Sequence, residues 1–213
     1  MDILKKISLI FLVSLAVWSC GEDDEPTADN DDNSQRSFAD AQAQYEVLRE
    51  GFTLGLTRKA GFPQSGVMIY KGMHTGEFFK GNTTSDTKLD YFADVEFTLD
   101  FEAQTFTGQL VNFTTNLEGF ENPEGTLNVS GSIRGPDDLG GDEFGLRFRV
   151  QEGELTQDGR TANFDAFTNS KGRFLGDTGQ SVNIRISSVF NWTEGPDEGT
   201  TSGTVGFMHA NRE

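Results

Sequence analysis

Residues 90–101 read DYFADVEFTLDF. Tyr91, Ala93, Val95, Phe97, Leu99 and Phe101 fall on one side of an extended chain, and Asp90, Asp94, Glu96, Thr98 and Asp100 on the other. Successive side chains of a strand point to opposite faces, so this alternation predicts a strand with one face in a core and one in water. Phe92 is the single exception, an aromatic on the polar side. The same period of two returns at 127–133, 144–150 and 182–192, and more weakly at about 66–73, 104–113, 161–168 and 202–210. Clusters of Gly, Asn, Asp and Pro separate these runs, which predicts eight antiparallel strands.

Such strands close into a barrel or stack as a sandwich. The hairpin-length spacing and the absence of a Cys–Trp–Cys signature favour an all-β, eight-stranded antiparallel up-and-down barrel. Its outer face would carry Asp90, Asp94, Glu96, Arg147, Arg149 and Arg185. Charges at bilayer depth cost several kcal/mol each, so a lipid-embedded barrel is excluded and the Phe residues are expected as core. Many large inward rings favour a filled interior over a hollow one.

The chain has 213 residues, 17 Lys and Arg against 34 Asp and Glu, a net charge of −17, one Cys and two His. The charge balance argues against nucleic acid, whose phosphates need a basic surface. A single Cys excludes an internal disulfide and a Cys-rich metal cluster.

That Cys has a specific place. Residues 1–20 read MDILKKISLIFLVSLAVWSC, with Lys5 and Lys6 before an apolar stretch at 7–18. The stretch is shorter than the roughly 20 residues a permanent span requires, and fits a secretory signal. Its end, Val17-Trp18-Ser19-Cys20, resembles the lipobox of bacterial lipoproteins, which implies cleavage after residue 19 and acylation of Cys20. Removing residues 1–19 takes away Asp2, Lys5 and Lys6 and leaves a net charge of −18. Seven acids then lie between Glu22 and Asp32, beside Pro26 and with no large apolar residue. Such a segment cannot bury enough surface to offset its ordering entropy, so 20–36 is expected as a disordered acidic tether. Gly21 after the Cys resembles an outer-membrane sorting signal, and the acidic run resembles the surface-export signal of Bacteroidetes lipoproteins.

Ser37 followed by Asp40, with Phe38, Ala41, Tyr45 and Leu48 at helical spacing and Gly51 as a stop, predicts one short helix over about 38–50. Its apolar stripe is expected as a lid on the core. The expected organisation is thus a signal peptide at 1–19, a tether at 20–36, a helix and linker at 37–62, and the barrel at 63–213.

Three segments together resemble a known family. Residues 63–72 read PQSGVMIYKG, residues 93–108 read ADVEFTLDFEAQTFTG, and residues 203–212 read GTVGFMHANR. They resemble the barrel domain of transferrin-binding protein B and related bacterial surface lipoproteins, in which a P-x-S-G-x-x-x-Y-x-G opening precedes an A-x-V-x-F…T-x-x-G hairpin and a Gly-rich closing strand. The order of lipobox, tether, helix and barrel matches as well. The family's F-x-G-x-F-Y-G-P segment is poorly kept: Phe174-Leu175-Gly176 is the nearest approach, and Glu194-Gly195-Pro196 stands where Tyr-Gly-Pro is expected. The chain has room for one barrel and no second lobe, so transferrin binding is not carried over.

No catalytic residue, metal site or cofactor is expected. The only Cys serves the lipid, and no nucleophile elbow, phosphate loop or dinucleotide fingerprint occurs. His74 is expected just after the first strand and His209 near the end of the last, which places them at opposite rims about 20 Å apart. On that geometry they share no site. The expected function is that of an outer-membrane-anchored, monomeric binding module displayed on the cell surface. Its partner, a host or environmental protein or a small ligand, would be met by the loops 52–62, 114–124, 135–143 and 193–201. The binding residues themselves are not identified by the sequence. Alternatives are a periplasm-facing small-ligand carrier with the barrel interior as its calyx, and a structural envelope protein.

Overall fold

The computed structural model describes residues 36–50, 53–80, 88–116, 121–135, 144–164, 170–196 and 198–213. Cys20 and the acidic run lie outside the described residues. The elements are α1 (Phe38–Glu50), a single 3-10 turn (Lys59–Gly61), and nine strands. These are β1 (Val67–Lys80), β2 (Lys88–Asp100), β3 (Thr105–Thr115), β4 (Glu124–Arg134), β5 (Gly145–Gln157), β6 (Arg160–Phe164), β7 (Ser170–Leu175), β8 (Ser181–Glu194) and β9 (Thr201–Arg212). All pairings are antiparallel, in the order β4-β3-β2-β1-β9-β8 and on to β5, which pairs back to β4. Both β6 and β7 lie between β5 and β8 and form two halves of one stave. The result is the closed eight-stranded antiparallel barrel that the alternation predicts. Of the strand expected at 161–168, residues 161–164 lie in β6 and 165–168 lie outside the described residues; β7 adds a second segment to the same stave.

β1 is about twice its expected length. Its inward positions run Tyr70, Gly72, His74, Gly76, Phe78, and two glycines around a histidine hide the apolar period. The glycines serve packing. A Cβ at Gly76 would meet the Tyr91 hydroxyl at 2.9 Å, so the bare backbone lets that ring lie across the wall. Between Phe92 and Asp94 the register with β3 slips by one residue, where Asn112 adopts φ 54°. Asn tolerates this left-handed conformation better than most residues, and it makes the bulge. The β5–β6 hairpin turns on Asp158 and Gly159, both at positive φ, as a two-residue primed turn requires.

One continuous apolar core fills the interior, with side chains from every stave. The lid at one end is the linker and not α1. Phe62 enters where β1 begins, stacks on Phe144 with ring centres 3.6 Å apart, and meets Phe101 and Phe174 edge-on. Leu56 bridges to Leu175, the Thr57 amide donates to Phe174 O, and a Cβ at Gly61 would collide with the Asp177 carbonyl. Helix α1 instead lies on the outer wall against β1, β2, β3 and β9. The Ser37 hydroxyl caps it by accepting from the Asp40 amide at 3.1 Å. Ala41, Phe38, Tyr45 and Leu48 form with Met73 and Phe92 a satellite core outside the barrel. The polar-side exception in residues 90–101 is therefore the docking site of the helix.

Candidate functional site

The wall formed by β1, β2, β3 and β4 carries an open groove of about 840 Å³ on its outer side. Its floor follows from the strand register. Glu96 pairs with Gln109 and Gln109 with Asn128, while Thr98 pairs with Thr107 and Thr107 with Ser130. Side chains directly opposite one another on antiparallel strands stand about 5 Å apart, so amides and hydroxyls form a grid with donors and acceptors in close reach.

Ion pairs bound the groove on two sides. Lys71 lies 3.4 Å from Glu96 and 2.9 Å from Glu213, and these two carboxylates raise its pKa. On the other side Asp94 accepts from Arg36 at 2.5 Å and from the Nδ2 of Asn112 at 2.9 Å. Arg36 also donates to Gln44 at 2.7 Å, which ties the start of α1 to the bulge. With Glu96 paired to Lys71, Asp94 to Arg36, and the other floor groups neutral, the groove can recognise a ligand by hydrogen bonding and shape. The sequence placed these residues on the outer face but offered no sign that they border a concavity, which the twist of the closed wall creates.

The histidines do not stand at opposite rims. Met73 pairs with His209 and His74 with Met208, so the two are neighbours on adjacent strands. They still share no site, because they project to opposite sides of the sheet. His74 points into the barrel, where the Tyr91 hydroxyl lies 3.2 Å from its Nδ1 and 2.9 Å from the Thr204 hydroxyl. Burial lowers its pKa from 6.5 to about 3, with a smaller push from His209, and the same desolvation raises that of Tyr91. His209 points outward beneath α1 with its ring 5.3 Å from Tyr45, and burial aided by Arg49 lowers its pKa to about 4. Both are neutral near pH 7. Among the described residues no group of three or more His, Cys, Asp and Glu is placed to hold a metal ion.

The four candidate loops divide between the two barrel ends. Segments 52–62 and 135–143 belong to the end where β1 begins, 114–124 and 193–201 to the end where it finishes. Residues 53–62 are a plug and not a free loop. Residues 52, 117–120, 136–143 and 197 lie outside the described residues.

No family model and no curated protein matches the sequence. Solved structures do resemble the chain. A double mutant of the vaccine antigen transferrin-binding protein B from Haemophilus parasuis Hp5 shares 19% identity, covering 74% of this chain and 28% of its own, with a TM-score of 0.41. A structure described as a surface lipoprotein shares 14% identity over 75% of this chain and 66% of its own, with a TM-score of 0.41. DynF, from the dynemicin biosynthesis pathway of Micromonospora chersina, shares 11% identity over 75% of this chain and 83% of its own, with a TM-score of 0.47. The chain thus spans little more than a quarter of the length of transferrin-binding protein B.

Proposed function

We propose that this protein is a lipid-anchored binding module, held at the outer membrane through Cys20 and displayed at the cell surface on its acidic tether. The groove over β1–β4 is the contact surface. The observation that supports this reading is the polar grid of Thr98, Thr107, Gln109, Asn128 and Ser130 set in a concavity of small-molecule size, with its rim charges already paired. No catalytic role is assigned to any of these residues. The periplasmic-carrier alternative would need an open calyx, and the rings of Phe97, Phe106, Phe113, Phe164 and Phe190 inside the barrel count against it.

Protease treatment of intact cells tests the display. The barrel is expected to be released from the surface, and full protection would overturn surface exposure. Replacing Gln109 and Asn128 with arginine tests the groove. Capture of the natural partner is expected to fall at least tenfold while the circular dichroism of the barrel stays unchanged, and undiminished capture would move the site elsewhere.

A further inference from the structure

The charge of the barrel is unevenly distributed. Strands β7 and β9, and β8 from Ser181 to Thr193, contain no Asp or Glu, although the chain has 34. Cations are concentrated on the same wall. Arg147 of β5 pairs in register with Lys171 of β7, and Lys171 pairs with Arg185 of β8. One step along the strands, Arg173 pairs with Gly145 and Asn183. Ser130 pairs with Arg149, and Ser132 with Arg147. Every one of these cross-strand partners is neutral or cationic. The side chains of Arg147, Arg173 and Arg185 are exposed, and none of the three makes an ion pair among the described residues.

Adjacent strands lie about 4.8 Å apart, so like charges in one row repel and weaken the sheet unless an anion lies over them. Apolar groups flank the row. Phe207 pairs with Arg185 and is 44% exposed, and Val189, 51% exposed, lies farther along β8. A surface of guanidinium groups beside an exposed aromatic ring fits a layer of anionic headgroups over an apolar interior better than a soluble polyanion, which leaves the ring unmatched. The net charge of −17 does not prevent this. At physiological ionic strength screening acts over about 8 Å, less than the width of the barrel, so the local wall decides.

We propose that the β5–β7–β8 wall, with Phe207 at its edge, seats the barrel on an anionic lipid surface. The proposed anchoring through Cys20 would bring the wall close to such a surface, and in that respect the inference rests on that reading. The contact itself is a property of the barrel, so the test uses the mature chain from residue 20 with Cys20→Ser, which cannot be acylated. Failure of this test leaves the anchor untouched, and loss of the anchor leaves this test untouched.

The chain is mixed with vesicles of phosphatidylcholine alone, or containing about a third phosphatidylglycerol, and separated by flotation. Binding is expected to the anionic vesicles only, and to be lost at about 0.5 M salt. Arg147→Ala, Arg173→Ala and Arg185→Ala together are expected to weaken it about a hundredfold, roughly fivefold per arginine. Phe207→Ser is expected to weaken it without changing its salt dependence. A control substitution on the opposite wall, Thr105→Ala, at an exposed position of β3 outside the groove, is expected to change nothing. Equal binding to neutral vesicles, no binding to either, or full binding by the triple variant would overturn the proposal. Retention on immobilised heparin without vesicle binding would overturn it in favour of a soluble polyanion.

Discussion

The half of the barrel interior nearest Phe62 and the half nearest Tyr91 are built from the same alternating strands, yet they are held differently. Around Phe62 the inward positions are Phe101, Phe144, Phe174, Leu99 and Val182, and the polar atoms to satisfy include the hydroxyls of Tyr70, which donates to Gly179 O at 2.5 Å, and Thr57, which donates to Gly176 O at 2.5 Å. Around Tyr91 the inward positions admit His74, Ser188, Ser202 and Thr204 between the rings of Phe78, Phe164, Phe190 and Trp192. There several polar groups pair with one another: Tyr91 reaches Thr204 and His74, and the Trp192 indole donates to Ser202 at 3.0 Å. The first half is stabilised by area and close packing, which do not depend on pH. The second adds buried hydrogen bonds that hold only while an imidazole stays neutral.

The strongest break of this contrast is at the plug. Phe62→Ala is expected to cost about 3–5 kcal/mol, the price of a lost ring and the cavity it leaves. Denaturant unfolding should show the same loss at pH 7 and pH 5. A cost below about 1 kcal/mol would mean that the linker does not close the core. Next in size is the pH dependence of the other half. His74 binds a proton near 6.5 when unfolded but only near 3 when folded. Between these values the unfolded state holds more protons, so stability is complete above pH 6.5 and falls as the pH drops toward 3, by several kcal/mol at the limit. His74→Gln should flatten this loss, whereas Phe62→Ala should leave its slope unchanged. His209, lowered to about 4, keeps a second and smaller acid loss in the His74 variant.

A finer probe is Tyr91→Phe, which keeps the ring across Gly76 but strips the hydroxyl from Thr204 and His74. About 1–2 kcal/mol should be lost, measured as the shift in unfolding midpoint. The smallest effect expected is outside both halves. Asp94→Asn removes the partner of Arg36 and should cost about 1 kcal/mol or less, because the pair is partly solvated. Amide exchange should speed up in α1 while the barrel strands keep their protection. Equal acceleration throughout would show that the helix is part of the barrel's cooperative unit.

Much of this was legible in the chain. Residues 90–101 show their strand, their two faces and, in Phe92, the anomaly that marks where α1 docks. The helix was legible from Ser37, Asp40 and a stripe at helical spacing. Three features were not. The length of β1 was hidden because glycine at 72 and 76 carries no polarity to alternate. That β6 and β7 share one stave was hidden because it depends on both pairing with β5 and β8. The placing of His209 beside β1 was hidden because it depends on which strands pair at closure.

The sequence by itself determined the fold class and the inward and outward faces of the main strands. Each of these depends on local periodicity, which a chain states directly. Only the tertiary structure decided that Phe62 closes one mouth, that α1 lies outside, that His74 and His209 face opposite ways, and that the groove and the cationic row exist. These depend on the register between strands distant in sequence, where a shift of one residue turns every side chain to the other face.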